Sequence, residues 1–229
     1  MSLLTPDDLS AVYLSLKVAV LATLAGMPIA LAVAYALARW RFFGRGLLDA
    51  LTHLPLVLPP VATGFALLIL FGHQGLAGRG LESLGIVLAF RWTGAALAAG
   101  VMAFPLMVRP IRLSIEAIDR EVDEAARTLG ANSVTRFFRI TLPLAAPGLL
   151  AALVLGFAKS LGEFGATITF VAAIPGETLT LPAAIYQATQ NPGGESRAVT
   201  LCIIAAVIAI SAVLVSNIVN DRIAARDRD

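Results

Sequence analysis

Most of this sequence runs in long apolar stretches with almost no charge, and that feature limits the fold more than any other. Only 14% of its 229 residues are charged and 58% are hydrophobic, with a mean hydropathy of +0.85. A soluble domain carries about 25% charged residues. A bilayer core about 30 Å thick is crossed by about 20 apolar residues in a helix. In lipid, every backbone N–H and C=O must be satisfied internally. A transmembrane β-barrel would show short segments of alternating polarity, whereas the runs here are continuous. The expectation is an all-α, polytopic transmembrane helical bundle, a single membrane domain over residues 1–229.

Several classes fall away at once. The net charge of +2 is small for the length of the chain, and nucleic acid is not an expected partner. The one cysteine, Cys202, lies in an apolar run and has no internal partner for a disulfide. Ala36-Leu37-Ala38 resembles a signal-peptide cleavage site. The segment before it carries Asp7 and Asp8 rather than basic residues, however, and its apolar run is too long for a signal peptide. It is expected to be an uncleaved first helix.

Five spans are expected, at about 9–38, 54–71, 86–108, 144–168 and 199–219. The first has an expected kink at Gly26 and Pro28, and Trp40 anchors its end among Arg39, Arg41 and Arg45. The entrance to the second, LPLVLPP, contains Pro55, Pro59 and Pro60. Proline removes a donor and clashes with the preceding turn, so this is either a kink at the boundary or a break that lines a pore. A short helix is expected to begin at Thr180 and Pro182, and the segment 169–190 leaves room for a sixth, re-entrant element.

With five spans, one side of the membrane receives twelve arginines: 39, 41, 45, 109, 112, 120, 127, 136, 139, 222, 226 and 228. The other receives three, Arg79, Arg91 and Arg197. The positive-inside bias places the first side in the cytoplasm, the N-terminus outside and the C-terminus inside.

Between the third and fourth spans lies a charged island, EAIDREVDEAARTLGANSVTRFFRITLP, from Glu116 to Pro143, within an expected cytoplasmic loop 109–143. Seven charged residues fall between Glu116 and Arg127. Residues 116–129 are expected to form a helix with acids early and Arg127 late, matching the helix dipole. Gly130 would end it in a left-handed cap. Asn132 or Ser133 would cap a second short helix carrying Phe137 and Phe138. The result is a rigid two-helix knuckle.

The order Glu124-Ala125-Ala126, three residues, Gly130, nine residues, Ile140-Thr141-Leu142-Pro143 resembles the EAA loop of ABC importer permeases, in the topological position that family gives it. The resemblance implies a type I ABC importer permease fold. It also implies that the segment from Glu124 to Phe138 docks into a groove of an ATP-binding subunit, with Ile140, Leu142 and Pro143 completing the motif. The only lysines, Lys17 and Lys159, lack the Gly-x4-Gly-Lys context of a P-loop. ATP and Mg²⁺ therefore belong on a separate ATPase, and this chain is expected to be no enzyme and to bind no cofactor. LPLVLPP (54–60), SLGEFGATITF (160–170) and IPGETLTLPAAIY (174–186) resemble the molybdate branch of the family. Sulfate permeases share a similar Gly-Glu-aromatic-Gly element, so sulfate or tungstate permeases are the alternatives. By resemblance the partners are a second copy in a homodimer, two cytoplasmic ATPases, an external molybdate-binding protein and the inner-membrane bilayer.

Ionisable groups inside spans are costly and mark a functional face. Lys159 and Glu163 share a helix face, which leaves little net field, and Ser160, Thr167 and Thr169 add hydroxyl donors. This segment, with Pro59 and Pro60, either lines a weakly charged oxyanion path or serves helix packing and capping near the outer surface. His53 and His73 fall on opposite sides, so no metal site is expected. A secondary anion transporter would show inverted repeats or a proton relay, and neither is seen.

Overall fold

The computed structural model describes residues 4–226, with side chains through Leu214. Arg228, and the side chains of Arg222 and Arg226 in the expected cytoplasmic tail, lie outside the described residues. The described chain is helical throughout its ordered elements.

Helix α1 (Pro6–Arg39) starts in a reciprocal cap. Thr5 Oγ1 accepts from the Asp8 N–H at 3.3 Å, and the Asp8 carboxylate accepts from the Thr5 N–H at 2.8 Å. Helix α5 (Trp92–Glu116) lies along it. The seam is made of small buried residues, Ala22 on α1 clustering with Ala95 and Ala99 on α5, and Ala30 and Ala34 with Ala103. Small side chains let backbones approach in a bundle where lipid gives no hydrophobic drive for association. Helix α9 (Ala146–Leu161) completes a three-helix core. A Cβ at its Gly148 would stand 2.5 Å from the Pro110 carbonyl oxygen, and one at Gly156 would stand 2.7 Å from Met107 Sδ.

Three expected spans differ from what forms. Residues 54–71 are not one helix: α2 (Arg45–Val57) and α3 (Pro60–Phe71) meet at a bend of 116°. The helical region is disfavoured for a residue before a proline, and at this break Leu58 (ψ 143°) and Pro59 (ψ 135°) are both extended. Residues 144–168 are also broken, because α9 stops at Leu161 and α10 (Gly165–Val171) starts afresh. The third span begins at Trp92, not at 86, and its helix continues past 108 to Glu116. Three helices, α1, α5 and α12 (Glu195–Arg226), are long and apolar enough to cross a membrane alone. Two bent pairs, α2 with α3 and the segment Ser133–Leu144 with α9, bring the number to five.

The remaining elements sit at the ends. Helix α4 (Leu76–Glu82) follows α3. Helix α11 (Leu181–Gln190) starts after the extended Thr180 and packs on α12 and α1. Its first N–H donates to Ser15 Oγ at 2.6 Å.

Contacts between helix ends fix the relative directions. Asp8, at the start of α1, holds Arg197, at the start of α12, with three bonds of 2.6–3.0 Å. The Lys17 ammonium lies 3.5 Å from the ring centroid of Trp92, at the start of α5. At the far end of α1, Arg39 reaches the Ile118 carbonyl just past the end of α5. Helices α1, α5 and α12 therefore run parallel, as the first, third and fifth crossings of an alternating chain must. The three arginines counted together, Arg79, Arg91 and Arg197, share one set of ends, and the island occupies the other.

Candidate functional site

The island folds into two short helices and a wide turn. The expected helix over 116–129 is split. Helix α5 ends at Glu116, Ile118 turns inward and is buried, and α6 (Arg120–Thr128) begins behind the Asp119 side chain, which accepts from the Glu121 N–H at 3.0 Å. Glu121 and Asp123 occupy the first turn of α6 and Arg127 its last, each at the favourable end of the dipole. Ala126 is the buried residue of this helix.

Gly130, at φ +82°, ends α6. Its N–H bonds the Arg127 carbonyl and the Ala131 N–H bonds the Ala126 carbonyl, both at 3.0 Å, which is a Schellman cap. Asn132 Oδ1 then accepts from the Thr135 N–H at 2.8 Å and starts α7 (Ser133–Arg136). Arg136 Nε stands 3.3 Å from the Asp123 carboxylate and ties α7 to α6.

The chain continues through a π-helical turn, Phe137–Thr141, in which the Leu142 N–H reaches back to the Phe137 carbonyl. Helix α8 (Leu142–Leu144) follows, and a bend of 67° leads into α9. Phe137 points inward and meets Tyr35 of α1 and Phe138 edge to face. Phe138 points outward at 61% exposure. Val122, Leu129 and Val134 are also exposed, beside the exposed Glu124 and Arg127. The knuckle thus shows solvent a mixed apolar and charged tip, while its base bears on α1 and feeds α9. Of the motif residues, Ala126 is buried, Ile140 and Leu142 are half-buried, and Glu124, Ala125, Gly130 and Pro143 are exposed.

The second group of singled-out residues comes together where α3 meets α10. Pro59 and Pro60 are exposed at the 116° bend. A Cβ at Gly165 would stand 2.7 Å from Pro60 Cβ, and one at Gly64 would stand 2.4 Å from the Ala166 carbonyl oxygen. Glu163 is buried, pairs with Lys159, and accepts from the Ala166 N–H at 3.0 Å, so it also caps α10. Thr167 donates to the Phe164 carbonyl at 2.9 Å and Thr169 to the Gly165 carbonyl at 2.8 Å. The Ser160 hydroxyl is buried and finds no partner among the described residues. His53 bonds within its own helix and His73 meets Glu82 across a loop. Among the described residues, no three His, Cys, Asp or Glu side chains gather as metal ligands.

Sequence reasoning missed Tyr35 as the seat of Phe137, the Asp123–Arg136 tie and the Asp8–Arg197 clamp. Only the last left a signal, since opposite charges stand at the starts of two spans that share a side.

Fold and knuckle together define a multi-pass helical membrane component. The family model for "binding-protein-dependent transport system inner membrane component" matches residues 26–228, and the chain belongs to that family. Over 215 residues, 93% of this chain and 94% of the relative, it is 54% identical to the molybdenum transport system permease protein ModB of Escherichia coli (strain K12). It is 50% identical over 216 residues, 94% of each chain, to the ModB protein of Haemophilus influenzae. Among solved structures, a bacterial alginate ABC transporter in complex with alginate pentasaccharide-bound periplasmic protein matches with a TM-score of 0.77. That match covers 96% of this chain and 80% of that one at 20% identity, and it speaks for the fold alone.

Proposed function

We propose that this chain is the membrane-spanning permease subunit of an ATP-driven importer that carries molybdate across the inner membrane. The observation that carries the substrate is identity above half, over nearly the whole chain, to a molybdenum permease. The exposed knuckle supports the coupling.

In this reading two copies form the path as a homodimer, with N-termini outside and C-termini in the cytoplasm. Two cytoplasmic ATPase subunits bind ATP and Mg²⁺, and this chain binds no cofactor. Each ATPase receives one knuckle in a groove, with Glu124, Ala125, Ala126 and Gly130 shaping the docked helix and Phe138 on its face. Closure of the ATPases moves the knuckle. Phe137 passes that motion to α1, and the run Ile140, Leu142, Pro143 passes it to α9. The cavity then opens outward to receive the anion from a periplasmic molybdate-binding protein, and hydrolysis resets it. Pro59, Pro60, Ser160, Glu163, Thr167 and Thr169 border the path. The Glu163–Lys159 pair keeps the lining nearly neutral, so the anion is guided without being held.

The test is a strain lacking this chain, grown on limiting molybdate. Molybdoenzyme activity is expected to fall and to return with excess molybdate. A strain that no molybdate level rescues, or one that fails on limiting sulfate instead, overturns the substrate.

A further inference from the structure

Four arginines from four places in the chain surround a single recess at the pole that carries the island. Arg39 comes from the last residue of α1, Arg41 from the loop beyond it, Arg45 from the start of α2 and Arg120 from the start of α6. The recess encloses about 240 Å³, with Trp40 and Glu116 completing its wall. Its charge is not balanced. Glu116 is the one acid in the lining, and its carboxylate is taken by Arg112 at 2.8 Å. Arg112 also holds Asp49 at 3.0 Å. Among the described residues, no carboxylate lies within ion-pair distance of Arg39, Arg41, Arg45 or Arg120, although each is a full cation.

The recess is also built. Gly44, at φ +90°, folds the chain back so that Arg45 donates to the Leu37 carbonyl at 2.6 Å. Arg39 is steered by the Ile118 carbonyl. Two guanidinium groups are thus anchored to backbone, and the exposed Arg41 and Arg120 stand beside them. Guanidinium forks match phosphate oxygens in pairs.

The depth of the recess identifies what supplies the phosphate. It begins where the apolar length of α1 ends, and its own loop displays Trp40 at 59% exposure, Phe42 at 40% and Phe43 wholly exposed. Exposed aromatic rings at the end of a span mark the headgroup layer. We infer that this recess is a binding site for the phosphate of an anionic phospholipid, with the acyl chains lying outside in the bilayer. A phosphodiester there bridges Arg41, on the α1–α2 turn, to Arg120, the first residue of the knuckle. The lipid then braces the joint between α5 and α6. The inference is independent of the cargo.

The full chain, purified in detergent, is given equal amounts of phosphatidylglycerol and phosphatidylcholine and examined by native mass spectrometry. Phosphatidylglycerol is expected to remain bound and phosphatidylcholine to be lost. Removing a cationic contact to an anionic headgroup weakens retention about fivefold. Arg41→Gln and Arg120→Gln should each show that loss, while Arg79→Gln at the opposite pole should not. Equal retention of the two lipids in the unmodified protein overturns the inference without recourse to any variant. So does an Arg41→Gln/Arg120→Gln protein that keeps the lipid, or displacement of the lipid by millimolar inorganic phosphate, which would make this a site for the free anion. A double variant that keeps its lipid but no longer co-purifies with an ATPase reassigns the recess to a protein interface.

Discussion

The rings of Phe137 and Tyr35 stand 5.2 Å apart at 87°, so the π-helical turn of the knuckle rests on the side of α1. Edge-to-face pairs contribute about 1 kcal/mol beyond their burial. A thermal-unfolding cycle of Tyr35→Leu, Phe137→Leu and the double variant is expected to give a coupling of that order. Phe137→Ala should lower uptake about tenfold at unchanged membrane level, the scale of a lost link in a coupling chain. Uptake that falls only in proportion to the amount of folded protein would leave the pair a packing contact alone.

Gly130 offers a sharper break. Its positive φ has open space around the absent Cβ, so Gly130→Ala costs only backbone strain, about 1–2 kcal/mol. Gly130→Pro also removes the N–H that bonds Arg127 and forbids the left-handed angle. The proline variant should insert normally and transport nothing, whereas the alanine variant should keep part of its activity. Normal uptake by Gly130→Pro would sink the coupling role of the knuckle.

These two residues show what the sequence made legible. Gly130 and Asn132 announce themselves locally, because a left-handed angle and an N-cap each select their own residue types, and both caps form where the residues stand. The start of α6 is not legible locally, because nothing in the helical pattern marks the turn at 117–119, where burial of Ile118 and the Asp119 cap take over. Pro59 and Pro60 announced a break, but its angle is set by packing of α3 on α10 through Gly64 and Gly165, a contact no local pattern reports. Glu163 was paired with Lys159 by spacing alone, while its second role, receiving the Ala166 N–H, needed the helix to end first. Phe137 meeting Tyr35 and Asp8 meeting Arg197 join distant segments, and in this chain such contacts appear only once the bundle is assembled.

The α3–α10 contact has no slack. At Gly64 a methyl group would fall 2.4 Å from the Ala166 carbonyl oxygen and 2.8 Å from its Cα, both backbone atoms that cannot swing aside. Gly64→Ala should destabilise the detergent-solubilised chain by about 1–3 kcal/mol, the usual cost of overpacking. Gly80→Ala, with open space around it inside α4, is the control and should not lower the unfolding midpoint, since alanine favours a helix over glycine.

Asp8 is fully buried beneath Arg197, which is itself 30% exposed. Removing one member of a buried pair leaves a charge without compensation and costs about 3–5 kcal/mol, less where one partner reaches solvent. Asp8→Leu is expected to destabilise by about 3 kcal/mol on that basis. Asp8→Leu/Arg197→Met should recover most of the loss, since an apolar pair of similar volume removes both desolvation costs. Thermal unfolding of the three proteins decides it, and a double variant no more stable than Asp8→Leu would contradict the clamp.

Glu163→Gln separates the path from the packing. Glutamine keeps an oxygen for the Ala166 N–H but removes the charge that offsets Lys159. If the segment borders the oxyanion route, the uncovered ammonium attracts the anion and slows its release. Uptake kinetics should then show a lower apparent KM together with a lower maximal rate. Glu163→Ala, which also loses the cap of α10, should lower the unfolding midpoint as well. An unchanged KM in Glu163→Gln, with any loss of rate tracking the amount of folded protein, would make Glu163 a capping residue and move the path elsewhere.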